Sequence, residues 1–161
     1  MAGEAGAPGS ILLQDAIVDA NEALPGGHYL LRLTAPDIAE RARPGQFVHL
    51  RCGPDLPMRR PLSILRATVR SGQIELYKAV GVGTRQLATR RRGEAISVLG
   101  PIGKPFSPDP ARPRVLAIGG GVGMPPMLFL AQTLRPPNPV PWQPLLLLGS
   151  EGACPSQPRP S

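Results

Sequence analysis

Proline and glycine recur so often along this chain that regular structure has to come in short pieces. Twenty-two prolines and nineteen glycines stand among 161 residues, well above the usual share of either. Proline fixes φ and lacks an N–H, and glycine opens left-handed backbone, so both end elements and make turns. Pro25-Gly26-Gly27, Pro44-Gly45, Ser71-Gly72 and Gly93 mark such turns. Between them lie stretches of strand length: Ile11 to Ala20, His28 to Leu33, Gln46 to Cys52, Pro61 to Val69, Gln73 to Val80 and Ala95 to Leu99. Short strands at this spacing predict a small antiparallel six-stranded barrel. Pro36 to Ala42 predicts one helical turn, and Thr84 caps a predicted helix that runs to about Arg91.

After a linker-like stretch from Pro108 to Pro113 the pattern changes. Arg114 to Ile118 reads as a buried strand, and Gly119-Gly120-Gly121-Val122-Gly123 follows at once. Pro125-Pro126 opens a helix in which Met127, Ala131 and Leu134 share a face. Leu145 to Leu148 is a second strand, which completes one βαβ unit and implies a parallel pair. The predicted class is therefore β + α/β. Residues 1–9 form a flexible leader, 10–108 a barrel domain, 113–150 an incomplete nucleotide-binding unit, and 151–161 a polar tail without fold signal.

Composition narrows the function. Apolar residues make up 42% of the chain, which argues against disorder throughout. The formal charge is +7, mostly from arginine, so an anionic partner is expected. Only 4% of residues are aromatic, and a single-strand stacking platform is missing. A phosphate-bearing small ligand fits better than nucleic acid. Cys52 and Cys154 are solitary, form no CxxC, and read as free thiols. His28 and His49 fall in strands with no acid or nucleophile beside them, so both read as structural. No secretory signal and no apolar run of membrane-spanning length is visible, and the chain reads as cytoplasmic.

Three stretches carry chemistry. Arg59-Arg60-Pro61-Leu62-Ser63 places a cation, a rigid proline, an apolar side chain and a hydroxyl in a row. In an extended strand Arg60 and Leu62 share one face and Ser63 takes the other. An arginine fork suits a phosphate. Gly81-Val82-Gly83-Thr84 lets backbone N–H groups approach a ligand at the start of a helix, which suits a diphosphate. Tyr77-Lys78 precedes it on a strand, where the ring suits an adenine or ribityl face and equally an edge-strand role. The glycine run at 119–123 sits where a dinucleotide loop belongs, without strict GxGxxG spelling. Arg90-Arg91-Arg92 reads as a solvated helix end.

Taken in order, four motifs resemble the ferredoxin–NADP reductase superfamily, and within it the electron-transfer subunits of type B dihydroorotate dehydrogenase. They are Arg59-Arg60-Pro61-Leu62-Ser63-Ile64, Val80-Gly81-Val82-Gly83-Thr84-Arg85-Gln86-Leu87, Gly100-Pro101-Ile102-Gly103-Lys104-Pro105-Phe106 and Gly119-Gly120-Gly121-Val122-Gly123-Met124-Pro125-Pro126. The resemblance implies an FAD-binding barrel followed by a nucleotide-binding α/β domain. It implies that Arg60 holds the FAD diphosphate, with Pro61 beside it, that Leu62 lies against the isoalloxazine, and that Ser63 approaches the reactive nitrogen edge. Tyr77, Lys78 and Ala79 would line the ribityl and adenine side, and Gly83 and Thr84 would donate to the phosphates. Gly120, Gly121 and Gly123 would face the pyridine nucleotide or the flavin ring.

The implied role is electron transfer between FAD and NAD(H) or an iron–sulfur relay, serving a catalytic subunit that oxidises dihydroorotate in pyrimidine biosynthesis. No acid–base or nucleophile set is needed for it, and none is found. The family continues into more strands and a cysteine-rich [2Fe–2S] loop. This chain is expected to be C-terminally shortened, with an incomplete NAD site and without the four thiolates of a cluster. A basic barrel binding nucleic acid or a protein partner without catalysis, or a degenerate fragment, stays open as the alternative.

Overall fold

The computed structural model describes residues 11–53, 56, 58–79, 81, 84–109, 111–112, 114–134 and 144–149. Six strands close into an antiparallel barrel in the order β1-β2-β5-β4-β3-β6. They are β1 (Leu12–Leu24), β2 (His28–Thr34), β3 (Phe47–Leu50), β4 (Arg60–Thr68), β5 (Gln73–Ala79) and β6 (Ala95–Ile102). Closure removes the sheet edges that short strands would otherwise expose.

Strand alternation sets the inside. Leu31 and Leu33 of β2, Ile74 and Leu76 of β5, and Ile96 and Val98 of β6 are buried, with Arg32, Glu75 and Ser97 between them facing out. On the outside, the largely buried Glu75 accepts a 3.1 Å hydrogen bond from Arg32 Nε and pairs with Arg66 at 3.7 Å, which ties β2, β5 and β4 together. Cys52 is buried in this core; Cys154 lies outside the described residues.

Two short helices cover the barrel ends. α1 (Pro36–Arg41) follows β2, begins on proline, and buries Ile38 and Ala39. α2 (Arg85–Ala88) follows β5 and buries Leu87. β2 and β5 are antiparallel, with Thr34 beside Gln73 and His28 beside Ala79, so α1 and α2 sit at opposite ends.

β7 (Leu116–Gly120), a 3-10 turn at Gly121–Gly123, α3 (Met124–Thr133) and β8 (Leu145–Gly149) form the βαβ unit. β7 and β8 pair in parallel, Leu116 beside Leu145 and Ile118 beside Leu147. The face carrying these four side chains is uncovered: they are 54%, 58%, 66% and 49% exposed respectively. α3 covers the other face and also packs on β4. Phe129 of α3 reaches the barrel core, and Arg66 Nε donates to Gln132 Oε1 at 3.1 Å. Among the described helices none is long and apolar enough to cross a membrane.

The predicted elements are present with corrected bounds. β7 starts at Leu116, takes in Gly119 and Gly120 of the expected loop, and is not the buried strand expected, since α3 covers one of its faces and Leu116 and Ile118 on the other are exposed. β3 is shorter than Gln46 to Cys52, spanning Phe47–Leu50. β1 runs on to Leu24 instead of stopping near Ala20. α2 is a single turn ending at Ala88, not a helix to Arg91, because Thr89 and Arg90 leave the helix where Asn21 takes its last carbonyls. β6 runs to Ile102, beyond Leu99.

Candidate functional site

The first two residues of the arginine motif do different work. Arg59 is used by the scaffold: Nη1 donates to Ser97 O at 2.9 Å and to His49 O at 3.4 Å, and Nη2 donates to Ser97 Oγ at 3.0 Å. That clamps the entry of β4 onto β3 and β6. Arg60, one residue on, has a buried Nε without a hydrogen-bond partner among the described residues. A buried guanidinium N–H without an acceptor is costly, and an anion would satisfy it.

β4 changes partner along its length. Arg60 to Ser63 pair with Leu50 to Phe47 of β3, whereas pairing with β5 is recorded from Ile64 opposite Leu76 to Thr68 opposite Gln73. The last three residues of β5, Tyr77 to Ala79, pair instead with Leu30 to His28 of β2. Among the described pairings, the first half of β4 and the last turn of β5 therefore leave the ladder between them open. Pro61 is exposed and Ser63 half-buried beside this opening. Leu62 is only 9% exposed and belongs to the barrel core, so it offers an edge and not a whole face.

Arg60 starts β4 and Ala79 ends the antiparallel β5, so Arg60 and the Gly81–Thr84 turn lie at the same end of the barrel. Thr84 does not cap the following amides with its side chain. Its Oγ1 accepts from Gly81 N–H at 2.8 Å, and its N–H donates to Gly81 O at 3.0 Å, which closes a tight turn before α2. The expected mode, hydroxyl capping at a helix start, is thus replaced by a side chain folded back on the loop. The reason is that α2 is too short to need a cap so much as an anchor.

That anchor is Asn21 on β1. Its Nδ2 donates to Leu87 O, Ala88 O and Arg90 O at 2.9, 3.1 and 3.0 Å. Gln86 of α2 also lies against Gly53 of the β3–β4 loop, where any Cβ would collide with its amide. Sequence reasoning missed both. The 66-residue separation of Asn21 from Leu87 leaves no local signal.

The glycine run flanks the opening: its 3-10 turn lies against β5, and α3 beyond it packs on β4. Gly120 ends β7 and Gly121 and Gly123 lie in the turn. Gly121 has φ +51°, which favours glycine, and no heavy atom lies within 4 Å of a Cβ built at Gly121 or Gly123. Gly119 is required by packing, since a Cβ there would meet Gly123 O at 2.8 Å and Met127 Cγ at 3.0 Å. The third motif supports β3 from below: Gln46 Nε2 donates to Gly103 O at 2.8 Å, and Phe106 N–H to Pro44 O at 2.9 Å. Gly83, and the side chains of Tyr77, Lys78 and Ala79, lie outside what the structure describes. No group of three or more His, Cys, Asp or Glu able to hold a metal occurs among the described residues.

An opening in a barrel wall with an unsatisfied guanidinium at its mouth, a tight glycine–threonine turn at the same end and a roomy glycine loop on its flank fits a diphosphate carrying a planar ring. No family model matches the chain. The electron transfer subunit of dihydroorotate dehydrogenase B from Desulforamulus reducens is 38% identical over 123 residues, 74% of this chain and 47% of that protein. Its counterpart from Bacillus cereus is 37% identical over 126 residues, 75% and 49% respectively. The chain spans about half the length of the curated relatives it matches. Among solved structures, the ferredoxin reductase of carbazole 1,9a-dioxygenase superposes with TM-score 0.70 at 26% identity, over 87% of this chain and 43% of that one. An NADH-dependent reduced ferredoxin–NADP oxidoreductase shares the fold with TM-score 0.68 at 23% identity, over 86% and 57%.

Proposed function

We propose, from the likeness to dihydroorotate dehydrogenase B electron transfer subunits over about half of their length, that the chain is a member of that family, binds FAD in the opening between β4 and β5 and acts as an electron-transfer module. Residues 10–108 are the FAD-binding domain in this reading, and 113–150 are the nucleotide-facing unit. Arg60 takes the diphosphate, helped by Gly83 and Thr84. Pro61, the edge of Leu62 and Ser63 border the ring, and Tyr77 to Ala79 run along the ribityl and adenine side. Gly120, Gly121 and Gly123 face the ring or a pyridine nucleotide. The flavin, when bound, supplies two-electron uptake and one-electron release; the chain supplies position and charge.

Electrons would pass between NAD(H) or an iron–sulfur relay and a catalytic subunit of the dihydroorotate dehydrogenase type. The described residues offer no ligand set for a [2Fe–2S] centre. The observation that carries the proposal is the buried Nε of Arg60, left without a partner among the described residues at the barrel end that also holds the Thr84 turn.

The test is a flavin absorbance spectrum of the purified chain, with and without added FAD. A yellow protein, or one whose melting temperature rises with FAD, is the expected result. A colourless chain that neither takes up FAD nor gains stability from it would overturn the proposal.

A further inference from the structure

The run Arg90-Arg91-Arg92 has no part in the flavin reading, yet its first member is not a solvated helix end. The Arg90 side chain is only 25% exposed. Its Nη2 donates to Cys52 O at 3.0 Å, Nη1 meets Glu94 at 3.4 Å, and Nε is buried without a hydrogen-bond partner among the described residues. It lines a cavity of about 290 Å³ on the outside of the barrel, over the seam between β3 and β6. Arg51 and Ser97 line the same cavity, with Ala95 and Ile96 beside them. Arg51 is exposed, and its backbone N–H is fixed to Ser97 O at 3.0 Å. Ser97 Oγ already accepts from Arg59 Nη2, so its own hydrogen is left to donate.

We propose that this cavity is a second anion site, separate from the flavin opening, and that it takes the phosphoryl group of a small molecule. Among the described residues two guanidinium groups, Arg51 and Arg90, line it, against the one Glu94 carboxylate that pairs with Arg90, so the local balance is positive. Planar guanidinium forks match phosphoryl oxygens better than any other side chain does. The volume lies just below the range for small-ligand pockets, which leaves room for a phosphoryl group and a small carrier. No aromatic lines the cavity among the described residues, so none of them offers a platform to a stacked nucleobase. In barrel order β3 stands between this seam and β4 with its opening, so the two sites do not share a wall.

Inorganic phosphate titrated calorimetrically into the full chain tests this. The expected result is one saturable site that weakens by about tenfold or more in Arg51→Glu, as loss of a charge-assisted contact requires. Arg70→Glu, the same charge change on an exposed residue in the turn before β5, should leave phosphate affinity within about twofold if the effect is local and not a matter of net charge. Saturating FAD should leave the phosphate site intact. Absence of saturable binding, equal losses in the two variants, or full displacement of phosphate by FAD would each overturn the site. So would an oligonucleotide that binds more tightly than phosphate and depends on Arg51. The phosphate arm stands whether or not the chain takes up FAD, so failure of one reading is not failure of the other.

Discussion

Arg59 and Arg60 are adjacent in sequence and opposite in use: Arg59 gives its guanidinium to Ser97 and His49, while the buried Nε of Arg60 meets no acceptor among the described residues. The separation of roles is measurable. Arg60→Ala should weaken FAD affinity by roughly 10- to 100-fold, the scale of a hydrogen bond to a charged group, while leaving the melting temperature of the flavin-free chain nearly unchanged. Arg59→Ala should do the reverse, costing about 1–3 kcal/mol of folding stability by orphaning its acceptors. Paired FAD titrations and urea melts decide the matter. Equal effects of the two variants on both readouts would contradict the assignment.

Asn21 is expected to set the position of the diphosphate turn from a distance. Asn21→Ala should lower stability by about 1–2 kcal/mol through the lost α2 carbonyl contacts. Asn21→Asp should be worse, because a carboxylate would face the carbonyl oxygens of Leu87, Ala88 and Arg90 with no hydrogen to give. A urea melt in which aspartate is tolerated better than alanine would rule this out.

The contrast between Arg60 and Asn21 shows what the sequence makes legible. Strand positions were readable because Leu31, Leu33, Ile74 and Leu76 alternate with polar neighbours, and turn glycines punctuate them. The motif order was readable because each motif is local. The division of labour between Arg59 and Arg60 was not, since it depends on β6 lying beside β3, a closure fact with no trace in either segment. The same holds for Asn21: the polar pair Asn21 and Glu22 looks like a strand end, yet the ladder to β2 continues through it, Asn21 beside Leu31 and Glu22 beside Leu30, and the α2 carbonyls that its side chain serves lie far along the chain. Thr84 was placed correctly at the head of α2, but its hydroxyl partner was misread because helix length, which sets the need for a cap, was overestimated.

Gly119→Ala should destabilise the βαβ unit by about 1–3 kcal/mol, the usual cost of forced overpacking. Its Cβ would press on the carbonyl of Gly123 and on Met127. Gly123→Ala, where the space is open, should cost less than half as much. Hydrogen exchange of the α3 amides reads the difference directly.

The uncovered face of β7 and β8 should govern solubility. Exposed apolar patches of this kind favour association. The double variant Ile118→Gln, Leu147→Gln should reduce light scattering at high protein concentration and shift folding stability by no more than about 0.5 kcal/mol, as surface changes usually do. Unchanged scattering would mean that self-association, if present, uses another surface.

β4 carries the unsatisfied cation near its first residue and, through Arg66 and Gln132, the helix that follows the glycine run near its last. One girder therefore holds both walls of the proposed cleft at a fixed spacing. A cofactor laid across them would meet two walls already spaced by one strand, so its capture would need no movement of one wall against the other.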